Sequence, residues 1–403
     1  MSSTSERVGS GTSEPAGTTR VGLILLLWAA GLGAAAQYGK LALVYDMLPS
    51  LYPGQGAALG WAVSLVGLVG ILLGVAAGAA VAAIGLRRAM LIGLAGGAAL
   101  SALQALAPPF GMFLALRVVE GVFHLLLVVA APTLIALKSA PHDRPLTLTL
   151  WGTFFGVAFA LIAALGVPLA ARHGVPALFA AHALWMAVLG VALAASLPRD
   201  ATPATGPAAL PRPADLLLRS ARIYRSARIG APALGWLFYT FAYVALLTLI
   251  GPHIPEAART ATLTAMPLVS IAASLALGVP LMRVMPAVTV MQLGFATGAA
   301  AMLALLAAPG SPVLCLAAAA ALGLVQGAGF AAVPELNAAP EDRALANGGL
   351  AQSGNLGNTL GVPVLAAAVA GFGFAGLALP LAAALALGAA GQVALARARR
   401  AGR

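Results

Sequence analysis

Charge is the scarcest commodity in this chain of 403 residues: Asp, Glu, Lys and Arg together make up 8% of it, against 61% hydrophobic residues. A soluble domain carries about a quarter charged residues, so a fold with a water-covered surface is excluded. Cysteine occurs once, as Cys315 inside an apolar run, which excludes an internal disulfide framework and metal sites built on cysteine pairs. No metal site and no cofactor are expected. The sequence contains no Gly-x-x-x-x-Gly-Lys-Ser/Thr phosphate loop, no Gly-x-Ser-x-Gly elbow and no His-Glu-x-x-His pair. A nucleotide-driven pump within this chain and the common hydrolase and zinc-protease chemistries are thereby set aside.

What the chain has instead is long apolar runs. Crossing a bilayer takes about 20 residues of helix, and twelve stretches qualify: 21–47, 57–84, 89–107, 110–137, 146–170, 175–197, 231–252, 260–282, 286–307, 312–335, 345–370 and 372–396. In hydrocarbon the backbone must satisfy its own polar groups, which continuous helices do. The 47 glycines and 27 prolines fit membrane helices, where both are common. The fold class expected is an all-α polytopic membrane protein, with a turn at the GFG around residue 371 separating the last two spans.

The net charge of +11 would suit nucleic acid, yet the cations are placed by topology. With the amino terminus cytoplasmic, 18 of the 22 Lys and Arg fall on one side, Arg172 and Arg259 fall on the other, and Lys40 and Arg117 lie within spans. That is the positive-inside bias. It predicts a multi-pass protein of the cytoplasmic (inner) membrane with both termini cytoplasmic, surrounded by lipid and not bound to nucleic acid. Oligomeric state is not written in the sequence, and a monomer is the default expectation.

Residues 1–20 are Ser/Thr/Gly-rich and read as an unstructured tail. Residues 198–230 form the long polar interruption, dividing the chain into bundles at 21–197 and 231–396, and a basic tail follows at 397–403. Within the interruption Arg219, Arg222, Arg225 and Arg228 recur every third residue beside Leu216, Leu217, Ile223 and Ile229. That pattern suits either an amphipathic helix on the inner membrane surface or a solvated basic loop. The two halves echo each other: Ala-Pro-x-Asp-Arg recurs at 140–144 and 339–343, Gly-Val-Pro at 166–168 and 361–363, and Glu120-Gly121 aligns with Gln326-Gly327. Two six-helix repeats related by an axis along the membrane normal are one plan of secondary transporters.

The 6 + 6 plan resembles the major facilitator superfamily over nearly the whole chain. Between spans 2 and 3 that family typically shows Gly-x-x-x-Asp-Arg-x-Gly-x-Arg-Arg. Here GAAVAAIGLRR supplies Gly78, Gly85, Arg87 and Arg88, with Ala82 and Ala83 in place of the acid and first base. The resemblance implies a gating role for those four residues. The family's Arg-x-x-x-Gly of span 4 is matched by Arg117, Glu120 and Gly121, and its antiporter signature of span 5 only by Gly152 and Gly156, without the proline. Spans 4 and 5 look like branches that export drugs, siderophores or other metabolites.

Arg117, Glu120, Gly121 and His124 recur at helical spacing and form one stripe. Ionisable residues at membrane depth are costly and usually functional, although a neutralised Arg117/Glu120 pair would also lock helices together. Lys40, with Gln37 and Tyr38 beside it, lies at the level of Arg117, so the two cations are expected to receive the anionic part of a substrate, or Lys40 snorkels to headgroups. Glu120 is the candidate proton carrier and His124 its relay or a packing residue. Gln326, Gln352, Asn355 and Asn358 offer neutral hydrogen bonds in the second half, and Tyr239 an aromatic wall. Gly70, Gly74 and Gly78 read as a packing ladder for a close helix neighbour.

Together these residues predict a proton-coupled secondary transporter moving a small organic metabolite by alternating access. Export of a siderophore or organic acid is the leading expectation and uptake of an organic anion the alternative. An intramembrane enzyme and a non-transporting sensor are the outside classes.

Overall fold

The computed structural model describes residues 18–198 and 213–401. Residues 1–17 of the tail proposed at 1–20, the Pro/Ala/Thr part of the linker and the last two residues lie outside them. Twelve helices are long and apolar enough to span a membrane: α1 (Val21–Ala42), α2 (Gly56–Gly74), α3 (Leu86–Ala105), α4 (Phe110–Leu137), α5 (Phe154–His173), α6 (Val175–Ser196), α7 (Gly230–Leu249), α8 (Glu256–Val284), α9 (Ala287–Ala307), α10 (Pro312–Leu336), α11 (Glu341–Phe372) and α12 (Phe374–Ala401). α2 runs on as helix to Ile84. Each expected span has its helix. Gly373, at φ +57°, makes the turn between α11 and α12, a left-handed conformation that glycine adopts without the Cβ penalty.

Pairings fall within two bundles, α1–α6 and α7–α12, joined where α2 meets α11 and α5 meets α8. Glycines show where the halves touch. A Cβ on Gly60 would lie 2.8 Å from Cα of Pro363, one on Gly67 would lie 2.5 Å from Thr359 Oγ1 and 2.6 Å from Tyr38 Oη, and one on Gly70 would collide with Asn355. One turn and two turns further on, Gly74 and Gly78 meet nothing within 4 Å. The ladder expectation is therefore corrected: Gly70 packs, whereas Gly74 and Gly78 border open space.

The hydrophobic clusters agree. One large cluster runs through Tyr38, Leu41, Leu48, Tyr52 and Phe159 of the first bundle into Tyr243, Leu246 and Ile250 of the second. Toward the other end each bundle has its own core, around Leu27, Met90 and Leu134 in the first and around Ile223, Val333 and Leu350 in the second. The bundles are thus sealed together at one end and part toward the face carrying Arg87, Arg88, Lys138 and Arg144, hereafter the basic face.

The linker helix Pro213–Arg225 exists, and it docks on α11 instead of standing apart from the protein. Ile223 is buried among Val333, Ala346 and Leu350, and Arg222 pairs with Asp342 at 2.8 Å. The side chains of Leu216, Leu217 and Arg219 are outside the description. The repeated Ala-Pro-x-Asp-Arg acts alike in both halves. Arg144 Nε donates to Ala136 O at the end of α4 (3.0 Å) and Arg343 Nε to Asn337 O at the end of α10 (2.8 Å), each satisfying a carbonyl that a helix terminus leaves unpaired.

A second symmetry was missed in the sequence. The structural partner of Gly166-Val167-Pro168 is Gly278-Val279-Pro280 of α8, because both tripeptides follow a π-helical turn, Ile162–Gly166 and Ser274–Gly278. Proline removes an N–H from the ladder, and widening the preceding turn accommodates the loss. The Gly-Val-Pro at 361–363 lies in continuous α-helix.

Candidate functional site

Gly121 sets the position of the polar stripe. A Cβ there would collide with Val66 O, so glycine lets α4 lie against α2 where α2 passes from α-helix (Leu59–Ser64) into a 3-10 turn (Leu65–Gly67). A change of hydrogen-bond register leaves carbonyls open to outside donors. Arg117, one turn earlier on α4, uses two of them: Nε donates to Ala62 O at 2.7 Å and Nη2 to Val63 O at 3.2 Å, while Nη2 also donates to Gln37 O of α1 at 2.7 Å. Its Nη1 pairs with Glu120.

Glu120 collects two further donors, Lys40 Nζ at 2.8 Å from α1 and Gln104 Nε2 at 2.7 Å from α3. Lys40 also reaches Ser101 Oγ at 2.5 Å, and Ser101 lies 2.6 Å from His182 Nδ1 on α6. Arg117, Lys40 and Glu120 are each 0% exposed. Four helices therefore converge on a closed polar core in the first bundle, with two cations and one carboxylate at its centre. Neither Ser101, Gln104 nor His182 was singled out in the sequence: His182 stands alone on its span, and Ser101 and Gln104, three residues apart on α3, carry no charge to make them stand out.

The expected cationic patch is corrected by this geometry. Lys40 and Arg117 share a level as anticipated, but their donors are used inside the bundle, and neither presents a charge to a cavity between the bundles. Lys40 does not snorkel either. Gln37 is likewise buried, its Oε1 2.9 Å from His124 Nδ1.

The cavity between the bundles, of about 290 Å³, has a different lining. Tyr38, His124, Phe155, Tyr239, Asn355 and Asn358 border it, with Gln326 and Trp236 toward the basic face. His124 is the link between cavity and core: it lines the wall, stands edge-on to Tyr38 with centroids 5.4 Å apart, and shares Gln37 with the buried network. On the opposite wall Trp236, Tyr239 and Tyr243 form a run with centroids 4.8 and 5.3 Å apart. At the closed apex Tyr38 Oη and Asn358 Oδ1 are buried without a hydrogen-bond partner among the described residues. A fissure of about 420 Å³ between the short helix Arg144–Gly152, α8 and α10 adjoins the cavity and shares Gly152, Gln326 and Phe330 with it.

Of the residues anticipated for substrate, Gln326, Asn355, Asn358 and Tyr239 come together here, beside His124, which was expected to relay a proton or to pack. Gln352 does not: it accepts from Ser220 (3.5 Å) and Tyr224 (3.2 Å) of the linker helix. The group expected to gate, Gly78, Gly85, Arg87 and Arg88, runs from the end of the helix that continues α2 to the start of α3. Gly85 breaks the helix at φ +93°, and Arg87 donates to Ala194 O (2.9 Å) and Leu197 O (3.1 Å), tying the start of α3 to the end of α6. That is a positive charge at a helix carboxyl end, and these two bonds lie within one bundle.

A family model described as the Major Facilitator Superfamily matches residues 21–334. The chain belongs to that superfamily. Among solved structures, this superfamily member is similar to a bacterial homolog of the human lysosomal transporter Spinster in an inward-facing and occupied conformation. The TM-score is 0.72 at 14% identity, over 96% of this chain and 98% of that one. It is also similar to the human organic anion transporter MFSD10 (TETRAN), with a TM-score of 0.65 at 19% identity over 92% and 98% of the two chains. No curated protein matches it. At such identities the likeness establishes the fold, here that of a multi-pass membrane transporter.

Proposed function

We propose that this superfamily member is a proton-coupled secondary transporter that exports a small organic metabolite with a flat apolar body and hydrogen-bonding polar groups. The observation that carries the reading is the juxtaposition of an open, aromatic and amide-lined cavity with a closed ionic core, the two linked through His124. The cavity supplies a place for cargo, and the core around Glu120 supplies a place to hold the coupling proton.

Orientation follows from the cation bias: the basic face is cytoplasmic, both termini lie there, and the cavity is open to the cytoplasm, where an exporter loads. Gly152 just before α5 and Gly156 within it, the partial match to the antiporter signature, favour export. With no lysine or arginine lining the cavity among the described residues, cargo is recognised by ring stacking and amides. An anionic group on the cargo, the chemistry named for MFSD10, would meet His124 in its protonated form.

The test is flux in reconstituted inside-out vesicles, with the vesicle interior made acidic and a panel of aromatic hydroxy and carboxy compounds offered outside. Accumulation is expected to depend on the pH gradient and to lose that dependence in Glu120→Gln and Lys40→Met proteins that remain folded. Accumulation that is the same with and without the gradient overturns the coupling. No accumulation of any aromatic compound overturns the cargo class.

A further inference from the structure

The buried core has a branch that neither cargo binding nor the Glu120/His124 pair uses. Lys40 Nζ, Ser101 Oγ and His182 Nδ1 form a chain with steps of 2.5 and 2.6 Å, while Lys40 and His182 themselves are 3.4 Å apart. His182 Nε2 lies 2.9 Å from Gly33 O. A carbonyl only accepts, so Nε2 carries the proton and Nδ1 of a neutral imidazole is left as an acceptor. Ser101 therefore donates to His182 and accepts from Lys40, and each link is aligned for proton transfer.

Charge decides which group has a proton to give. Glu120, with three donors converging on it, is neutralised by the Arg117 guanidinium alone. Lys40 is the surplus cation of a fully buried set. The titratable and charged groups that face it are Arg117 and Glu120 from α4, with His124 behind them, and His182 from α6. α3 contributes Ser101 and Gln104, and α5 contributes none among the described residues.

We propose that Lys40, Ser101 and His182 form a proton-binding relay in which Lys40 and His182 share one exchangeable proton. In the transfer an N–H bond of Lys40 breaks as Ser101 Oγ takes that proton, and the Ser101 O–H bond breaks as His182 Nδ1 takes the other. The products are a neutral amine, an intact hydroxyl and an imidazolium that still donates to Gly33 O. The positive charge moves from Lys40, beside Arg117 and Glu120, to His182, and both ends of the relay line a cleft between α1, α5 and α6 rimmed by Leu161, Leu165 and Trp185. The Lys40–Glu120 ion pair becomes a plain hydrogen bond, which loosens α1 from α4 at the level of Tyr38 and the cavity apex. The relay's role in transport rests on the coupling proposed above, whereas its existence does not.

The test needs no cargo: 15N NMR of the full chain in lipid bilayers, labelled at its five histidines, with the His182 signals identified by their loss in His182→Gln. Near neutral pH, His182 is expected to carry its proton on Nε2 with Nδ1 as a strongly hydrogen-bonded acceptor. In Ser101→Ala the Nδ1 signal should move to its unbonded position. Lys40→Met keeps the stem and removes the cation, and should raise the proton affinity of His182 about tenfold or more, one pH unit on its titration. A proton on Nδ1 in the unmodified protein overturns the relay without any variant having to fold, and so does a His182 titration indifferent to Lys40→Met. A failed flux assay with these signatures intact removes the coupling reading and leaves the relay. The reverse result removes the relay alone.

Discussion

Glu120 stands between two buried cations, and the cost of replacing it differs sharply from the cost of replacing either neighbour's charge. Glu120→Gln leaves Lys40 and Arg117 facing each other in the bundle core without a carboxylate, and breaking a buried pair by removing one partner costs about 3–5 kcal/mol. Lys40→Met leaves the neutral Arg117–Glu120 pair with its carbonyl contacts, keeps most of the apolar stem, and is expected to cost clearly less. Thermal unfolding of the two variants in one detergent or lipid should show this order, and an equal loss in both would mean that the ionic count misdescribes the core. The stripe of Arg117, Glu120 and His124 was legible because charges at helical spacing in an apolar run stand out. Ser101, Gln104 and His182 were not, since an uncharged pair on α3 and a lone histidine on α6 make no stripe of charge. That they meet is decided by how α3 and α6 are rotated in the bundle, and a membrane helix has little amphipathic pattern from which to read that rotation.

At the scale of elements, α2 is the informative helix. Its glycines repeat every fourth residue, yet they divide into those against α11 and those facing open space. A side chain at Gly67 would fall on Thr359 and Tyr38, whereas one at Gly74 meets nothing in this conformation. Gly74→Leu is therefore expected to fold and unfold like the parent protein while reducing flux at least about tenfold, because the opposite state must bring α2 and α11 together on the basic face. Gly67→Leu should fail at the level of folding. Comparable flux in Gly74→Leu and the parent protein would mean that this stretch of α2 stays open throughout the cycle. The sequence placed these glycines on one face correctly. It did not say which were filled, because occupancy depends on how the two bundles are tilted and not on anything local to α2. The Gly-Val-Pro motif makes a related point: its tripeptide is visible four times in the chain, but only the π-turns show that the α5 and α8 copies are the matching pair.

For the whole molecule, closure at one end and opening at the basic face make a statement about accessibility. Cys315 is fully buried, so a cysteine introduced at Gly74 reports alone. An impermeant maleimide should label Gly74→Cys in inside-out vesicles and not in right-side-out ones, while Ala62→Cys, at a fully buried position, should resist it in both. Labelling of Gly74→Cys in right-side-out vesicles would reverse either the orientation or the open side. Twelve spans, their division six and six, the side favoured by the cations and the presence of an ionic stripe were all determined by the sequence, because hydrocarbon imposes length, apolarity and charge placement segment by segment. Whether those ions would greet a substrate or close upon one another was decided only by the tertiary structure. The deciding factor is the rotation and approach of four helices, which turned Lys40, Arg117 and Glu120 inward and left rings, amides and one imidazole to face the cavity.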